Sequence, residues 1–366
     1  MAKARETKVL FLFPYPYGTA ASQRFRFEQY LGFLEEAGIR YRLASFLDAD
    51  TWKILYKPGH GRAKLAGILR GFGRRLKLLA QVPAYDFVFI HREAAPLGPP
   101  VLEWIIAKVL RKKIIFDFDD AIWLANTSAH NRVAAGLKWH RKTASLCRWA
   151  YRVSAGNRYL AEYAGQFNNC VTINPTTIDT VGLHNRLKDQ TTSEVIIGWT
   201  GTHSTIGYLT PLLPVLRELE KEYAFTFLVI SDQPPGFTLP SLRYLPWNKA
   251  TEREDLLRMN IGIMPLIDDR WAKGKCGFKA LQYMALGIPA VASPVGVNCD
   301  IIRDGVDGYL CRTDAEWKSA LAHLLGNDAL RARLGRAARQ RIEESYSVQA
   351  NRLTFLGFFT GLPCIT

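Results

Sequence analysis

The strongest constraint on the fold is that short, almost wholly apolar segments alternate along the chain with segments of helical periodicity. The segments VLFLF and DFVFIH lack an apolar–polar alternation, so the strands they predict are buried on both faces. Such strands are typical of a parallel sheet covered by helices on both sides, which predicts an α/β fold. Strands are predicted at 9–13, 39–45, 86–91 and 112–120, and again at 195–199, 225–230, 260–265 and 288–292.

A polar segment at 174–194 separates the two series of strands and is predicted to be a linker. A chain of 366 residues is long enough for two domains. We therefore expect two doubly wound, Rossmann-like domains at 1–180 and 190–345 that face a cleft, with a final helix at 346–366 packing back on the first. Ligands of such sheets bind at the carboxyl ends of the strands. Neither GxGxxG after the first strand nor GxxxxGK[ST] occurs, which argues against an ordinary dinucleotide enzyme and a P-loop nucleotidase.

The positive charge is concentrated in the first half of the chain. The net charge is +15, and residues 1–180 hold 27 Lys and Arg against 14 Asp and Glu, while residues 181–366 hold 21 against 19. We expect the first half to meet an anionic partner, either a membrane surface, a phosphate-bearing acceptor or nucleic acid. No RNP, KH or C2H2 pattern is present, so nucleic acid is not the expected partner.

The cysteines and the apolar runs bear on the metal content and the cellular location. The six cysteines show no CxxC or Cys/His ligand spacing, which predicts reduced thiols and no metal site. The apolar run at 9–13 is too short for a signal peptide, and no run of about 18 apolar residues occurs. We expect a cytoplasmic protein, either free or peripheral on the inner face of the membrane.

The segment GKCGFKALQYMALGIPAVAS combines a glycine-rich basic loop, a helix and a buried strand. Gly274 and Gly277 allow the backbone to approach a ligand closely. A helix that starts near Gly277 presents its amino-terminal N–H groups beside Lys275 and Lys279, and this combination suits a diphosphate. The alternative is an ordinary helix–strand unit with solvated lysines.

The second half resembles the nucleotide-sugar domain of retaining GT-B glycosyltransferases of the family 4 type. The resemblance rests on LQYMALGIPAVASPVG and on IIRDGVDGYL further along. It implies that the backbone of Cys276, Gly277 and Phe278 holds the phosphates and the sugar, and that Gln282 holds the ribose. The family's E-x7-E motif is degenerate, because its two glutamates fall at Gly274 and Gln282.

The resemblance implies a two-domain enzyme that transfers a sugar from a nucleoside-diphosphate sugar to a hydroxyl of a cell-surface glycan or lipid-linked acceptor. It further implies retention of configuration, with neither a metal ion nor a cofactor. The departures from the motif leave an alternative open, which is a catalytically weakened homologue that binds nucleotide or an anionic polymer without turnover.

Two loops at the ends of predicted strands are further candidates for the donor site. Gly201, Thr202 and His203 follow the strand at 195–199, where the family usually has basic residues on the diphosphate. The alternative for this loop is a plain connection that caps the next helix. Gly18 follows the first strand, where family members place a glycine-containing loop near the donor phosphate and the acceptor.

Four charged residues and a histidine are candidates for the acceptor side. Arg24 and Arg26 lie two residues apart on a predicted helix, so at most one of them faces a given ligand. Asp119 and Asp120 follow a predicted strand, and their DxD pattern also occurs in metal-dependent GT-A transferases and in haloacid dehalogenase phosphatases. Two serial domains argue against the first, and the missing Thr of DxDxT argues against the second. We expect one of the two aspartates, or His91, to accept the proton of the acceptor hydroxyl, although a helix-capping role for the aspartates stays open.

The segment 61–81 has an apolar stripe and many cations. Two interpretations are open, because the stripe either contacts an anionic membrane surface or packs on the domain. The apolar residues of the stripe are Leu65, Leu69, Phe72, Leu76 and Leu79, and the cations are Arg62, Arg70, Arg74 and Lys77.

Overall fold

The computed structural model of the protein describes residues 6–124 and 139–360, and the last six residues of the predicted helix at 346–366 lie outside them. The chain forms two compact units. The first unit reaches to Thr176 and takes up the chain again from Asn351, and the second spans Thr177–Ala350.

The first unit is built on a six-stranded parallel sheet in the order β2-β1-β3-β4-β5-β6. The strands are β1 Lys8–Phe13, β2 Arg40–Ser45, β3 Phe87–His91, β4 Lys113–Phe118, β5 Arg152–Ala155 and β6 Val171–Ile173. The helices are Ala21–Arg24, Leu31–Glu36, Ala49–Leu55, Gly61–Leu79, Val101–Trp104 with the π-helical turn Ile105–Val109, Lys142–Trp149, Arg158–Gly165 and, from Asn351 onward, the helix Val348–Gly357. The 3-10 turns are Glu28–Tyr30 and Val82–Ala84.

The second unit repeats this architecture with the strand order β12-β11-β10-β7-β8-β9. The strands are β7 Ile196–Thr200, β8 Thr226–Ser231, β9 Leu242–Pro246, β10 Ile261–Met264, β11 Ala290–Ala292 and β12 Gly308–Leu310. The helices are Leu213–Leu219 after the 3-10 helix Ile206–Leu212, Glu252–Leu256, Arg270–Lys273, Phe278–Ala285, Asn298–Ile301, Asp314–Leu325 and Asp328–Ser345.

The predicted α/β fold with two parallel sheets is confirmed. All eight predicted strands form. Seven of them are mostly or fully buried, whereas the residues of β2 are exposed or half-buried. The strands β5, β6, β9 and β12 were not predicted, since each has at most five residues and none contains a run of three apolar residues. The predicted helix that carries Arg24 and Arg26 is interrupted after Arg24, because the consecutive residues 25–28 are all buried and one helical face cannot bury all of them.

A buried carboxylate holds the centre of the first unit together. Asp117, in β4, is fully buried and forms an ion pair with the guanidinium of Arg26. Its Oδ2 lies 2.7 Å from Nδ1 of His91, and its Oδ1 accepts a hydrogen bond of 2.6 Å from the hydroxyl of Ser154. Arg26 also donates to the carbonyl of Asn174. The network therefore joins β3, β4, β5 and the end of β6 to the segment after β1.

The helix Gly61–Leu79 packs on the first unit in the orientation opposite to the one that its leucines suggest. Its buried residues are Gly67, Gly71, Arg75 and Leu78. The interpretation in which the apolar stripe packs on the domain is wrong for three leucines, which are more than half exposed. They are Leu65, Leu69 and Leu76.

Two further predictions concern thiols and membrane spans. Cys147, Cys276, Cys299 and Cys311 are free thiols, as predicted, but Cys170 is disulfide-bonded, so the prediction of a reduced thiol is wrong there. Sequence spacing does not reveal such a bond, because it joins residues that only the fold brings together. Among the helices of residues 6–124 and 139–360, none has both the length and the apolarity required to span a bilayer.

We predict that Arg26→Met lowers the free energy of unfolding by about 3–5 kcal/mol, because it leaves a buried carboxylate without its counter-charge. Urea titration at pH 7 measures the change. Arg40→Met is the matched control, since Arg40 forms its ion pair with Glu6 on the surface, and its unfolding midpoint should stay near that of the wild type.

The pH dependence supplies a second test of the same interaction. Burial alone raises the pKa of Asp117, but the charge of Arg26 and the hydrogen bond with His91 outweigh it and hold the pKa below its usual range. The stabilisation is therefore complete above the unfolded pKa of about 3.9 and is lost as the pH falls through the lower folded pKa. The stability difference between wild type and Arg26→Met should shrink below about pH 4, and a constant difference would contradict the assignment to Asp117.

Candidate functional site

The strand order of the second unit places a candidate site at the carboxyl ends of β7 and β10. The chain runs from β7 outward through β8 to β9, then returns to the other side of β7 and continues through β10 to β12. The order of the strands thus reverses between β7 and β10. Open α/β sheets bind ligands at such a reversal, outside the carboxyl ends of the strands.

The helix Phe278–Ala285 begins at this edge of the sheet. It starts after Gly277, whose φ of +66° lies in the left-handed region that favours glycine. The first N–H groups of a helix have no partner within the helix and carry a partial positive charge. Cys276 is buried and Phe278 half-buried on either side of this start. The helix therefore starts where the sequence predicts it, directly after Gly277.

Trp199 connects this helix to the loop that follows β7. The ammonium group of Lys279 lies over its ring, 5.4 Å from the centroid. On Gly201, a Cβ atom would come within 2.3 Å of the same ring, so only glycine fits there. The hydroxyl of Tyr283 accepts a hydrogen bond of 3.0 Å from the backbone N–H of Thr200. These contacts bring together the two segments in which sequence predicted donor-binding residues, although Trp199 itself was not predicted.

The second lysine of the segment lies against the same loop and helix. The Nζ atom of Lys275 is 5.8 Å from the ring centroid of Tyr208, in the helix after the β7 loop, and 6.0 Å from that of Trp271. Two ammonium groups, Lys275 and Lys279, thus lie on aromatic rings next to one helix start.

The loop after β7 is held by a residue that sequence reasoning missed. Asp232, directly after β8, accepts a hydrogen bond of 2.6 Å from the backbone N–H of His203 and lies 2.6 Å from its Nδ1. The hydroxyl of Thr202 lies 2.8 Å from that of Ser204. The imidazole of His203 is half exposed and is oriented by Asp232. The sequence feature that could have revealed Asp232 is an acidic residue directly after a buried strand.

Two buried side-chain amides in this region each have one polar atom that forms no hydrogen bond with any described residue. Gln282 is 1% exposed, and its Nε2 has no hydrogen-bond partner among residues 6–124 and 139–360. The same holds for Oδ1 of Asn298, whose amide nitrogen donates to the carbonyl of Ser293 over 3.0 Å. A Cβ atom on Gly277 would lie 3.4 Å from this oxygen. Such atoms usually find partners, so they mark the region as one that can bind a polar ligand.

A shallow cavity of about 710 Å³, widely open to solvent, lies at the carboxyl end of β9. Its lining includes Trp247, Lys249 and Arg258. β9 is two strands away from β7, and neighbouring strands are about 4.8 Å apart, so the two sites are separated by roughly 10 Å along one sheet edge.

The carboxyl edge of the first unit carries the candidate acceptor residues. Arg92, directly after β3, donates hydrogen bonds of 2.7 Å from Nε to Asp119 and from Nη2 to Asp120. Burial raises the pKa of Asp119, but the charge of Arg92 outweighs it and leaves the pKa below its usual value. Arg92 has a φ of +60°, which is strained for a non-glycine residue and typical of functional sites. Sequence reasoning missed Arg92, although a charge directly after a buried strand was a signal.

His91 and Arg26 occupy the interior of the first unit rather than its surface. His91 is fully buried, with Nδ1 on Asp117, and its Nε2 has no hydrogen-bond partner in the described part of the chain. Arg26 is 1% exposed and directs its donors to Asp117 and Asn174, so of the two predicted arginines only Arg24 is partly exposed. Arg24 lies over the ring of Phe25, 5.0 Å from its centroid.

Gly18 has the left-handed backbone that a close approach requires, with a φ of +74°. Its N–H donates to both carboxylate oxygens of Glu28, at 3.1 and 2.9 Å. The loop after β1 is thus fixed by its own hydrogen bonds to Glu28.

In the described part of the chain, no group of three or more His, Cys, Asp and Glu side chains has the arrangement of a metal site.

Comparison with known proteins identifies the fold. The family model described as Glycosyl transferases group 1 matches residues 251–341. Of the similar solved structures, HepE of Anabaena in complex with UDP is 14% identical, with a TM-score of 0.64, over 97% of this chain and 100% of that one. The fold is that of GT-B glycosyltransferases.

Two other GT-B structures show the same likeness. A glycosyltransferase from Rickettsia africae is 13% identical, with a TM-score of 0.67, and sucrose-phosphate synthase from Thermosynechococcus elongatus is 12% identical, with a TM-score of 0.66. Both comparisons cover 97% of this chain and 98% of the other. No curated protein matches the chain by sequence. The family match and the GT-B fold together support a glycosyltransferase.

We predict that Gly277→Ala lowers the free energy of unfolding by about 1–2 kcal/mol, because a side chain disfavours the left-handed backbone at the helix start. The added Cβ would also lie 2.2 Å from Cδ1 of Ile301, which a rotation of that side chain can relieve. Gly207→Ala is the control, since no atom lies within 4 Å of its Cβ position. Thermal unfolding of both variants tests this, and equal stability would show that the backbone at 277 is not constrained.

Proposed function

We propose that the protein transfers a sugar from a nucleoside-diphosphate sugar to a hydroxyl of a cell-surface glycan or lipid-linked acceptor. The observation that carries the proposal is the meeting of the Gly277 helix start, Lys275, Lys279 and the Gly201 loop at the strand reversal of the second unit. We assign the donor to the second unit and the acceptor to the first.

The diphosphate is the leaving group, so the site has to stabilise the negative charge that develops on it. Helix N–H groups and two ammonium groups supply positive charge without a metal ion, and we propose that none is required. Lys279 lies over an indole rather than in open solvent, which limits its freedom before the ligand binds. The half-exposed His203, held by Asp232, is a further donor toward the phosphates.

The buried amide of Gln282 suits the ribose, because its unsatisfied Nε2 can donate to a diol oxygen. We place the base in the cavity at Trp247, since a nucleotide can span the roughly 10 Å from β7 to β9. Uridine diphosphate is the first nucleotide to test, because HepE was solved with it.

On the acceptor side, Asp119 and Asp120 are suited to orienting a hydroxyl rather than to removing its proton. The lowered pKa of Asp119 makes it a weak base. We therefore propose that the proton of the acceptor hydroxyl goes to the departing phosphate, on the same face of the sugar, which retains the configuration. The bond from sugar to phosphate breaks as the bond from sugar to acceptor oxygen forms, and the phosphate oxygen that leaves takes the proton.

A second candidate is a homologue that binds the nucleotide without turnover. It is favoured by the degenerate motif, in which Gly274 and Gln282 replace two acids. Saturable nucleotide binding with no product from any nucleotide sugar would support it over the transferase.

We predict that Lys279→Ala lowers the affinity for UDP by about ten- to a hundredfold, because it removes a charged hydrogen bond to phosphate. Calorimetry at several salt concentrations measures this, with GDP and ADP in parallel. Lys221→Ala, an exposed residue in the turn after the helix Leu213–Leu219, is the matched control and should bind as the wild type does. Unchanged UDP affinity in Lys279→Ala would show that Lys279 does not bind the diphosphate.

We predict that Asp119→Asn with Asp120→Asn lowers kcat/KM for the acceptor by about a hundredfold and leaves the UDP affinity unchanged. Asp50→Asn, which changes an exposed carboxylate of the same unit, is the control and should leave kcat/KM unchanged. Because the pKa of Asp119 is lowered, wild-type turnover should not fall through protonation of Asp119 between pH 7 and about pH 5. Full activity of the double variant would exclude both aspartates from the reaction.

A further inference from the structure

The helix Gly61–Leu79 contacts the first unit through glycines. A Cβ atom on Gly67 would lie 2.1 Å from Oγ1 of Thr51, and one on Gly71 would lie 2.7 Å from the ring of Phe46. The helix backbone is therefore so close to the unit that no side chain fits between them. A leucine cannot replace either glycine, so the rotation of the helix about its axis is fixed.

A buried arginine fixes the same rotation independently. The guanidinium of Arg75 is 3% exposed and donates hydrogen bonds to the carbonyls of Ala94 at 2.7 Å, Ala44 at 2.9 Å and Phe13 at 3.0 Å. These acceptors lie at or near the carboxyl ends of three strands. Rotating the helix to bury its leucines would break all three hydrogen bonds and leave the guanidinium of Arg75 without these acceptors.

The leucines consequently form an apolar stripe on the outer face. Leu65, Leu69 and Leu76 are 58%, 61% and 62% exposed, and their spacings of four and seven residues place them on one side of the helix. Single exposed leucines are ordinary, but a row of three along two helical turns or more is typical of an interaction surface.

A second helix next to Gly61–Leu79 also carries exposed apolar side chains. The helix Val101–Trp104 and its π-helical turn adjoin Gly61–Leu79, because Leu78 of one and Leu102 of the other line the same small cavity. Exposed apolar side chains on this second helix are Val101, Trp104 and Val109. We call the exposed apolar side chains of the two helices the apolar surface.

The apolar surface lies in a strongly basic environment. Residues 51–85 contain eight Lys and Arg and no Asp or Glu. Arg70 and Arg74 are partly neutralised by Asp48, which lies before this segment. The exposed cations on the two helices and directly after them that have no ion pair among the described residues are Arg62, Lys77, Lys108 and Arg111.

We propose that the apolar surface of the first unit binds the surface of an anionic bilayer. Its leucines would lie among the acyl chains, and the neighbouring cations would lie among the headgroups. Only a partner that is apolar inside and anionic outside matches both features, and a lipid leaflet has this layering. Trp104 fits the interfacial layer, where indoles are favoured. The proposal depends on the first unit alone and stands whether or not the donor site functions as proposed.

Sedimentation of the full chain with vesicles tests the proposal, using phosphatidylcholine alone and phosphatidylcholine with about one third phosphatidylglycerol. We expect wild-type binding to the anionic vesicles and little to the neutral ones. The variant Leu65→Gln, Leu69→Gln, Leu76→Gln should bind at least about tenfold more weakly, and Leu353→Gln, which changes a leucine that is 73% exposed elsewhere, should bind normally.

A charge variant separates the two contributions. Arg62→Gln with Lys77→Gln should weaken binding to anionic vesicles and reduce its dependence on salt. Circular dichroism and thermal unfolding should match the wild type in every variant, since all substituted side chains are exposed.

Three outcomes would overturn the proposal. One is a wild-type protein that does not sediment with anionic vesicles, and another is a triple variant that binds them as the wild type does. The third is self-association without lipid binding, abolished by the triple variant in sedimentation velocity, which would assign the surface to a second copy of the chain.

Discussion

The first unit is organised around the charge of Asp117, which is buried in the middle of its sheet. A buried carboxylate is costly unless it is paired, and here Arg26, His91 and Ser154 all bind it. The pairing brings the segment after β1 to the ends of β3, β4 and β5, and it explains why that segment abandons the helical geometry that its sequence favours. The edge that carries Asp119 and Arg92 is thereby built on a rigid base.

The second unit reaches a comparable result with an aromatic ring instead of a charge. Trp199 is buried at the end of β7 and contacts both the next loop and the helix that starts at Gly277. Two segments that are far apart in sequence are thus held next to each other by one side chain. In both units the candidate residues lie beside a side chain that is itself held by its neighbours, which is the arrangement that a preorganised site requires.

The sequence contained enough information for the fold class and for the helix start after Gly277, because continuous apolar strands and a glycine before a helix are local patterns. It did not reveal Arg26 as an interior residue or Arg92 as the partner of two aspartates, since both depend on which strands become neighbours. The leucine stripe is the clearest case. Its period predicts an amphipathic helix correctly, but the side that faces the protein is decided by Gly67, Gly71 and Arg75, whose contacts lie in distant segments.

The return of the chain to the first unit has a consequence for biosynthesis. Phe355 stacks on Tyr30 with ring centroids 4.4 Å apart and also contacts Phe89, so the first unit receives part of its aromatic core from the end of the chain. The ribosome has to produce all of Thr177–Ala350 before this ring arrives, which takes roughly ten to thirty seconds. During that interval the nascent sheet exposes an uncovered patch of Tyr and Phe side chains, and a holding chaperone would have a defined place to bind.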